Sequence, residues 1–222
     1  MSIHSYFFHF GQEVRPITMK RNTEKYHQIL EAAVKVFAEQ GFFQSTVAQV
    51  AKRAGVADGT IYLYFKNKDD ILVQFYKYKT KQVFDKFRMA VDTADVAEEK
   101  LRNLVRTHLE EFQKDINMAI VYQAEIHQHR RLAQDALKEM SKWYRDIITE
   151  VVELGQQEGT MRRNLYMGLV MRLITGAVDG VINAWIHAGG TYDLASMADP
   201  LVDLFVSGIG LDKQEKLNRA AG

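Results

Sequence analysis

A chain of 222 residues, 47% of them hydrophobic and none of them Cys, is long enough to bury a full core in one large or two small domains. It carries no disulfide, no thiolate nucleophile and no Cys-ligated metal, which fits a reducing cytoplasm. Its net charge of +1 hides a division: residues 20–68 hold eight Lys or Arg against four acids, and residues 69–222 hold 20 against 23.

Residues 1–19 precede the first periodic segment. The aromatic run Tyr6 to Phe10 lacks the basic flank and small-residue cleavage site of a signal peptide, so a mobile N-terminal arm is expected, with Met19 as an alternative start. In the first helix Ile29, Leu30, Ala33, Val36, Phe37 and Ala38 recur at steps of three and four. Thr23 stands as its N-cap, and Gly41 supplies a left-handed stop. Phe42 and Phe43 are expected to pack across the loop, and Ser45 or Thr46 to cap a second helix reaching Gly55. Val47, Val50, Ala51 and Ala54 form the apolar face of that helix. After the Gly55 turn comes a short aromatic-bearing helix, Gly59 to Phe65, closed by Lys66 and Lys68.

Two short helices around a glycine turn make a helix-turn-helix unit, whose second helix enters the DNA major groove. The positive charge is concentrated in the same stretch, where a phosphate backbone requires it. Residues 20–68 are therefore expected to form a DNA-binding head, small enough to lean on the larger remainder of the chain.

That remainder, 69–222, is expected to be an all-α ligand-binding and dimerisation domain. Asn67 or Asp69 starts a stiff helix to about Thr93, with Ile71, Leu72, Phe75, Tyr76, Val83, Phe84 and Phe87 as its stripe. Further helices are expected over 94–114, 115–128, 130–157 and 168–187. The last of these is apolar over too wide an arc for one neighbour. Its Arg172 and Asp179 exclude a lipid-spanning role, and Gly176 and Gly180, four apart, permit close backbone approach. A final helix carries Leu201, Val202, Phe205, Val206 and Ile209; Pro200 either opens it, with Asp199 as cap, or kinks one begun at Asp193. Two apolar C-terminal helices per chain would build a four-helix homodimer interface.

Within the head, chemistry suggests roles. Gly59 lets the backbone approach the duplex, and Thr60 bonds a phosphate or a base edge. Tyr62 and Tyr64 lie two apart and diverge, one toward a phosphate. Lys52 and Lys66 are placed for phosphates, and Thr46 both caps its helix and touches one. Ile61 and Phe65, four apart, read as core wedges. Asp58 either caps the short helix in place of Ala57 or accepts from a cytosine amino group.

Residues 24–71 resemble the DNA-binding domain of the TetR family of bacterial repressors. The elements that carry the likeness are Ala38-Glu-Gln-Gly41, the Thr46–Val56 segment of pattern T-V-x-x-V-A-x-x-A-G-V, and Gly59-Thr-Ile-Tyr-Leu-Tyr-Phe65. The chain departs from the family pattern at Ala57, where many relatives carry Ser or Thr. More narrowly, Gly55 to Lys68 and the ending Leu204-Phe-Val-Ser-Gly-Ile209 are similar to the fatty-acid-degradation repressors of Gram-positive bacteria. The resemblance implies a ligand-responsive repressor that binds a palindromic operator as a homodimer, is not an enzyme, needs no cofactor, and is released by long-chain acyl-CoA. The same fold sensing a drug-like effector for efflux control is the alternative.

Each buried methylene contributes about 0.8 kcal/mol, so an alkyl tail can be held largely without polar contacts. Candidate tail contacts on the middle helices are Phe112, Ile116, Ile120, Tyr122, Ile126, Tyr144, Ile147, Ile174 and Val178. His127, His129, Arg130 and Arg131 form a local basic cluster for the CoA phosphates, of which His129, Arg130 and Arg131 are the assigned contacts. Glu125 and His129 share a helical face, but His127 points roughly 160° away, so no metal site is expected there. A helical enzyme using Glu125 and His129, and a helical scaffold whose basic head is incidental, are the remaining rival classes, and no catalytic signature is present.

Overall fold

The computed structural model describes residues 19–127 and 134–210, without the side chains of 19–22, 125–127 and 134–137. Among the described residues the regular elements are helices: α1 Met19–Gln40, α2 Val47–Ala54, α3 Asp58–Ile61, α4 Lys68–Asp92, α5 Ala97–Gln113, α6 Ile116–His127, α7 Gln134–Glu158, α8 Met167–His187 and α9 Ala198–Ile209. Of the expected arm, residues 1–18 lie outside the described residues, and Met19 already belongs to α1.

The helix limits follow from local chemistry. Helix α1 begins four residues before Thr23, which is thus interior and not its cap. Thr46 closes a full capping box on α2: its hydroxyl accepts from the Gln49 amide at 3.2 Å, and the Gln49 side chain accepts from the Thr46 amide at 2.7 Å. Gly55 ends α2 at φ 65°, a left-handed backbone that a Cβ would strain. Asn67 caps α4 by accepting from the Asp70 amide at 2.8 Å. Pro200 neither opens nor kinks the last helix. A 3-10 turn, Ala195–Met197, runs straight into α9, and Pro200 sits in the first turn, where its missing N–H is not needed.

The core runs without a break from head to body, from Ile29 on α1 to Ile209 on α9. Helix α1 packs on α2 and also on α4 and α6, so the head leans on the body through two helices. Helix α5 is the central rod: Leu101, Leu104, Val105 and Leu109 are fully buried, and it touches α4, α6, α7, α8 and α9. Arg102 on α5 reaches Glu98 at 2.9 Å, Asp199 at 3.3 Å and Asp203 at 2.8 Å, and Arg106 reaches Asp199 at 2.6 Å, which docks α9 against α5. The turn after α7 is tied to the end of α9 by the Met161–Gly210 bridge and by the Arg162 guanidinium on the Gly208 and Gly210 carbonyls.

A candidate DNA-reading head and an internal cavity

Ile61 and Phe65 are fully buried and anchor the reading segment, while Tyr62 stands 59% exposed and Leu63 81% exposed on its outer side. Tyr64 is half-buried against the core, so the two tyrosines diverge. The regular helix spans only Asp58–Ile61, shorter than the expected Gly59–Phe65. Ala57 at the N-cap offers no side-chain acceptor, and Asp58 sits inside the first turn without capping it. Beyond Ile61 the backbone tightens into turns, with the Tyr64 amide on the Ile61 carbonyl at 3.0 Å, and the burial of Phe65 pulls it inward.

Lys52, Gly59 and Lys66 are exposed, as are Thr46 and Asp58, and Thr60 is half-buried. A Cβ on Gly59 would meet nothing within 4 Å, and its backbone is not left-handed. Nothing inside the fold, then, requires glycine at this position. Phe42 is buried as expected, and Phe43, 70% exposed, sets its ring edge-on to that of Phe42 with 5.9 Å between centroids.

Lys68 differs in kind from Lys52 and Lys66. Its ammonium donates to the carbonyls of Phe42 at 2.6 Å, Phe43 at 3.2 Å and Ser45 at 2.7 Å, and lies 4.5 Å from the Phe42 ring centroid. The first residue of α4 therefore holds the loop that positions Thr46. Arg53 is likewise engaged, by a two-pronged pair with Glu39 at 2.9 and 2.5 Å.

In the body, α4, α5, α6, α7 and α8 line a cavity of about 540 Å³. Aromatic rings form one continuous wall: Phe87 and His108 at 5.1 Å between centroids, His108 and Phe112 at 5.3 Å, Phe112 and Tyr122 at 5.1 Å. Met118, Met140, Met167 and Met171 add unbranched, adaptable side chains. Lys79, Arg145 and Arg172 bring cationic groups to its lining, and Asp179 a carboxylate.

His108 is held by the Tyr144 hydroxyl at 3.2 Å from Nδ1, and burial pushes its pKa from 6.5 down to about 4, so the ring is neutral at physiological pH. Burial first, and the Asp179 carboxylate second, push the phenols of Tyr122 and Tyr144 above their usual range, so both remain hydroxyls.

Of the expected tail contacts, Phe112, Tyr122 and Tyr144 line this cavity. Ile116, Ile120, Ile147, Ile174 and Val178 do not; Ile147, Ile174 and Val178 are fully buried in helix–helix contact. The side chain of Ile126 and the residues His129, Arg130 and Arg131 lie outside the described residues, as do the side chains of Glu125 and His127. Among the described residues no three His, Asp or Glu come together as a metal site. Sequence reasoning missed Lys79, Thr80, Met140, Arg145 and Asp179. Helical periodicity separates inside from outside, and carries no signal for which inward or boundary position meets empty space.

Helix α8 has three faces. Val170, Ile174, Val178, Ile182 and Trp185 enter the core, and Met167, Met171, Thr175 and Asp179 line the cavity. Leu169 and Leu173, each 51% exposed, continue with Gly176, Gly180 and Ala184 along a face about 130° round the helix from the core. A Cβ on Gly176 or Gly180 would meet nothing within 4 Å, and Leu204 of α9 is 75% exposed.

Comparison with known proteins agrees with this geometry. Residues 29–75 match the family described as bacterial regulatory proteins, tetR family, and residues 76–208 match the YsiA-like protein C-terminal region. The chain is 38% identical over 191 residues to the fatty acid metabolism regulator protein of Bacillus subtilis, covering 86% of this chain and 98% of that one. Among solved structures, the transcriptional regulator FadR of Bacillus subtilis in complex with stearoyl-CoA is similar with a TM-score of 0.76 and 38% identity, over 83% of this chain and 99% of that chain. The fatty acid degradation regulator FadR of Bacillus halodurans is similar with a TM-score of 0.77 and 38% identity, over 83% and 95% of the two chains.

Proposed function

This chain belongs to the TetR family of bacterial transcriptional regulators, and we propose that it is a dimeric repressor of fatty-acid-degradation genes, released from its operator by long-chain acyl-CoA. The observation that carries the effector class is the 540 Å³ cavity walled by aromatic rings and methionines, in a fold whose similar, solved relative was captured with stearoyl-CoA. Such a space is of the size that small-ligand sites occupy, about 300–1,000 Å³. The cations Lys79, Arg145 and Arg172 at the cavity, with His129, Arg130 and Arg131 from the segment between α6 and α7, suit the phosphates of CoA.

In the head, Thr46, Lys52, Thr60, Tyr62, Tyr64 and Lys66 are assigned to phosphate and groove contacts, Gly59 to close backbone approach, and Asp58, which does not cap, to a base amino group. The free faces of α8 and α9 are assigned to a second copy, so that two heads meet successive major grooves about 34–36 Å apart on a palindrome.

Coupling between cavity and head has a physical route in α4. Phe75, Tyr76, Lys79, Thr80, Val83 and Phe87 of this one helix line the cavity, and its first residue, Lys68, grips the α1–α2 loop. A ligand that prefers one tilt of α4 thereby prefers one placement of the head, and differential affinity of this kind commonly amounts to about 1–3 kcal/mol. A second reading, a planar cationic effector, is favoured by the ring wall together with Asp179. Native mass spectrometry of the purified protein decides between them. A co-purified acyl thioester that also frees an operator duplex bears out the first reading; release of DNA by aromatic cations and not by acyl-CoA replaces it with the second.

A further inference from the structure

We infer that the cavity binds an oxygen acceptor within the buried part of its ligand, through Tyr122 and Thr80, and is not shaped for hydrocarbon alone. The Tyr122 hydroxyl donates to the Met140 Sδ at 3.4 Å, and the Thr80 Oγ1 lies 4.0 Å from the same sulfur. A thioether is a weak acceptor, so two hydroxyls from α6 and α4 share one soft partner offered by α7. All three side chains line the cavity.

The other cavity phenols are differently placed. Tyr144 has the His108 Nδ1 at 3.2 Å, and Tyr76 donates to the Val121 carbonyl at 2.9 Å. Among the described residues, Tyr122 is thus the cavity tyrosine whose hydroxyl is matched only to sulfur. Both of its neighbours in this triad suit the exchange. Met140 is unbranched and swings aside readily, and Thr80, β-branched, has few χ1 positions among which to turn its hydroxyl.

An alkyl chain passing this point gains nothing from the two donors. A carbonyl or hydroxyl oxygen replaces the sulfur and takes both hydrogen bonds, in a setting shielded from competing water. A site built this way rejects an analogue lacking the oxygen more strongly than an apolar pocket rejects a missing methylene. Two sources offer the same chemistry: the thioester carbonyl at the head of the acyl chain, or an oxygen substituent further along it.

The inference rests on the acyl-thioester reading of the cavity, and calorimetry on the full-length protein separates the two. The probes are stearoyl-CoA, S-octadecyl-CoA (a thioether without the carbonyl) and a mid-chain hydroxystearoyl-CoA, titrated into the unsubstituted protein, Tyr122→Phe and Thr80→Val. Both substitutions preserve shape, and thermal melting checks that each variant is folded. The expected result is a preference of about 5- to 10-fold for an oxygen-bearing probe, reduced to about 2-fold or less in both variants. Preference for stearoyl-CoA over the thioether assigns the bonded oxygen to the thioester; preference for the hydroxylated chain over stearoyl-CoA assigns it to the tail. Equal affinity for all three probes, or a preference that survives in both variants, overturns the inference alone. Failure of every probe to bind overturns it together with the effector assignment.

Discussion

Two residues show how far single positions can be read and where reading fails. At Gly59 the fold supplies no internal reason for glycine, since a Cβ there would meet open space, and its role toward DNA stays a proposal. Gly59→Ala is therefore expected to leave the fold as stable or up to about 1 kcal/mol more stable, since Ala favours helix. The same change should weaken operator binding at least tenfold by standing the backbone off the duplex; urea unfolding and fluorescence anisotropy read the two effects separately. The state of His108 was not legible in the sequence. Its neutrality follows from the cavity wall and the Tyr144 hydroxyl, contacts made by helices distant in sequence. With a folded pKa of about 4 against 6.5 unfolded, the unfolded chain takes up a proton first as pH falls. Stability from this group is thus complete above 6.5 and lost as pH drops toward 4. Between about pH 7 and about pH 5, the unsubstituted protein should lose about 2 kcal/mol more than His108→Asn, measured by urea unfolding at both pH values.

At the scale of elements, the periodic helices were recoverable from sequence because their stripes repeat over several turns, and their ends fell within a few residues of the caps. The short α2, with its Thr46 cap and Gly55 stop, was recovered as well, whereas the extent of the reading helix was not. The reading helix stops at Ile61 because Ala57 offers no cap and Phe65 turns inward, a balance between local cost and tertiary pull. Lys68 was counted with the basic residues that close the head, yet its charge is directed inside the protein, onto three carbonyls and a ring. Lys68→Met keeps the length of the side chain and removes the charge. It should destabilise the protein by about 1–3 kcal/mol. It should also weaken DNA binding through a displaced Thr46, without changing the salt dependence by the one counterion expected for a phosphate contact. Affinity measured over a salt series distinguishes these outcomes: a slope reduced by about one would make Lys68 a direct contact instead.

For the molecule as a whole, the exposed strip Leu169, Leu173, Gly176, Gly180 and Ala184 with Leu204 is where a second copy is assigned. Leu173→Asp should yield monomers in sedimentation while shifting unfolding by no more than about 0.5 kcal/mol per chain under conditions where dimers are already dissociated. Operator affinity should fall with it, because one head alone reads half a palindrome. Width of the apolar arc was enough to suggest this surface from sequence; of the cavity, Phe112, Tyr122 and Tyr144 were named but not the α8 face that lines it, because empty space leaves no mark on periodicity. An α8 that lines the cavity on one face and, as proposed, meets a second copy on another has a quantitative outcome. On that proposal occupancy inside and association outside act on one rod, and any factor by which effector loosens the pair must return as the factor by which pairing disfavours effector. Dilute protein would then respond to less effector than concentrated protein, and the sensitivity of the switch would track the number of copies a cell keeps.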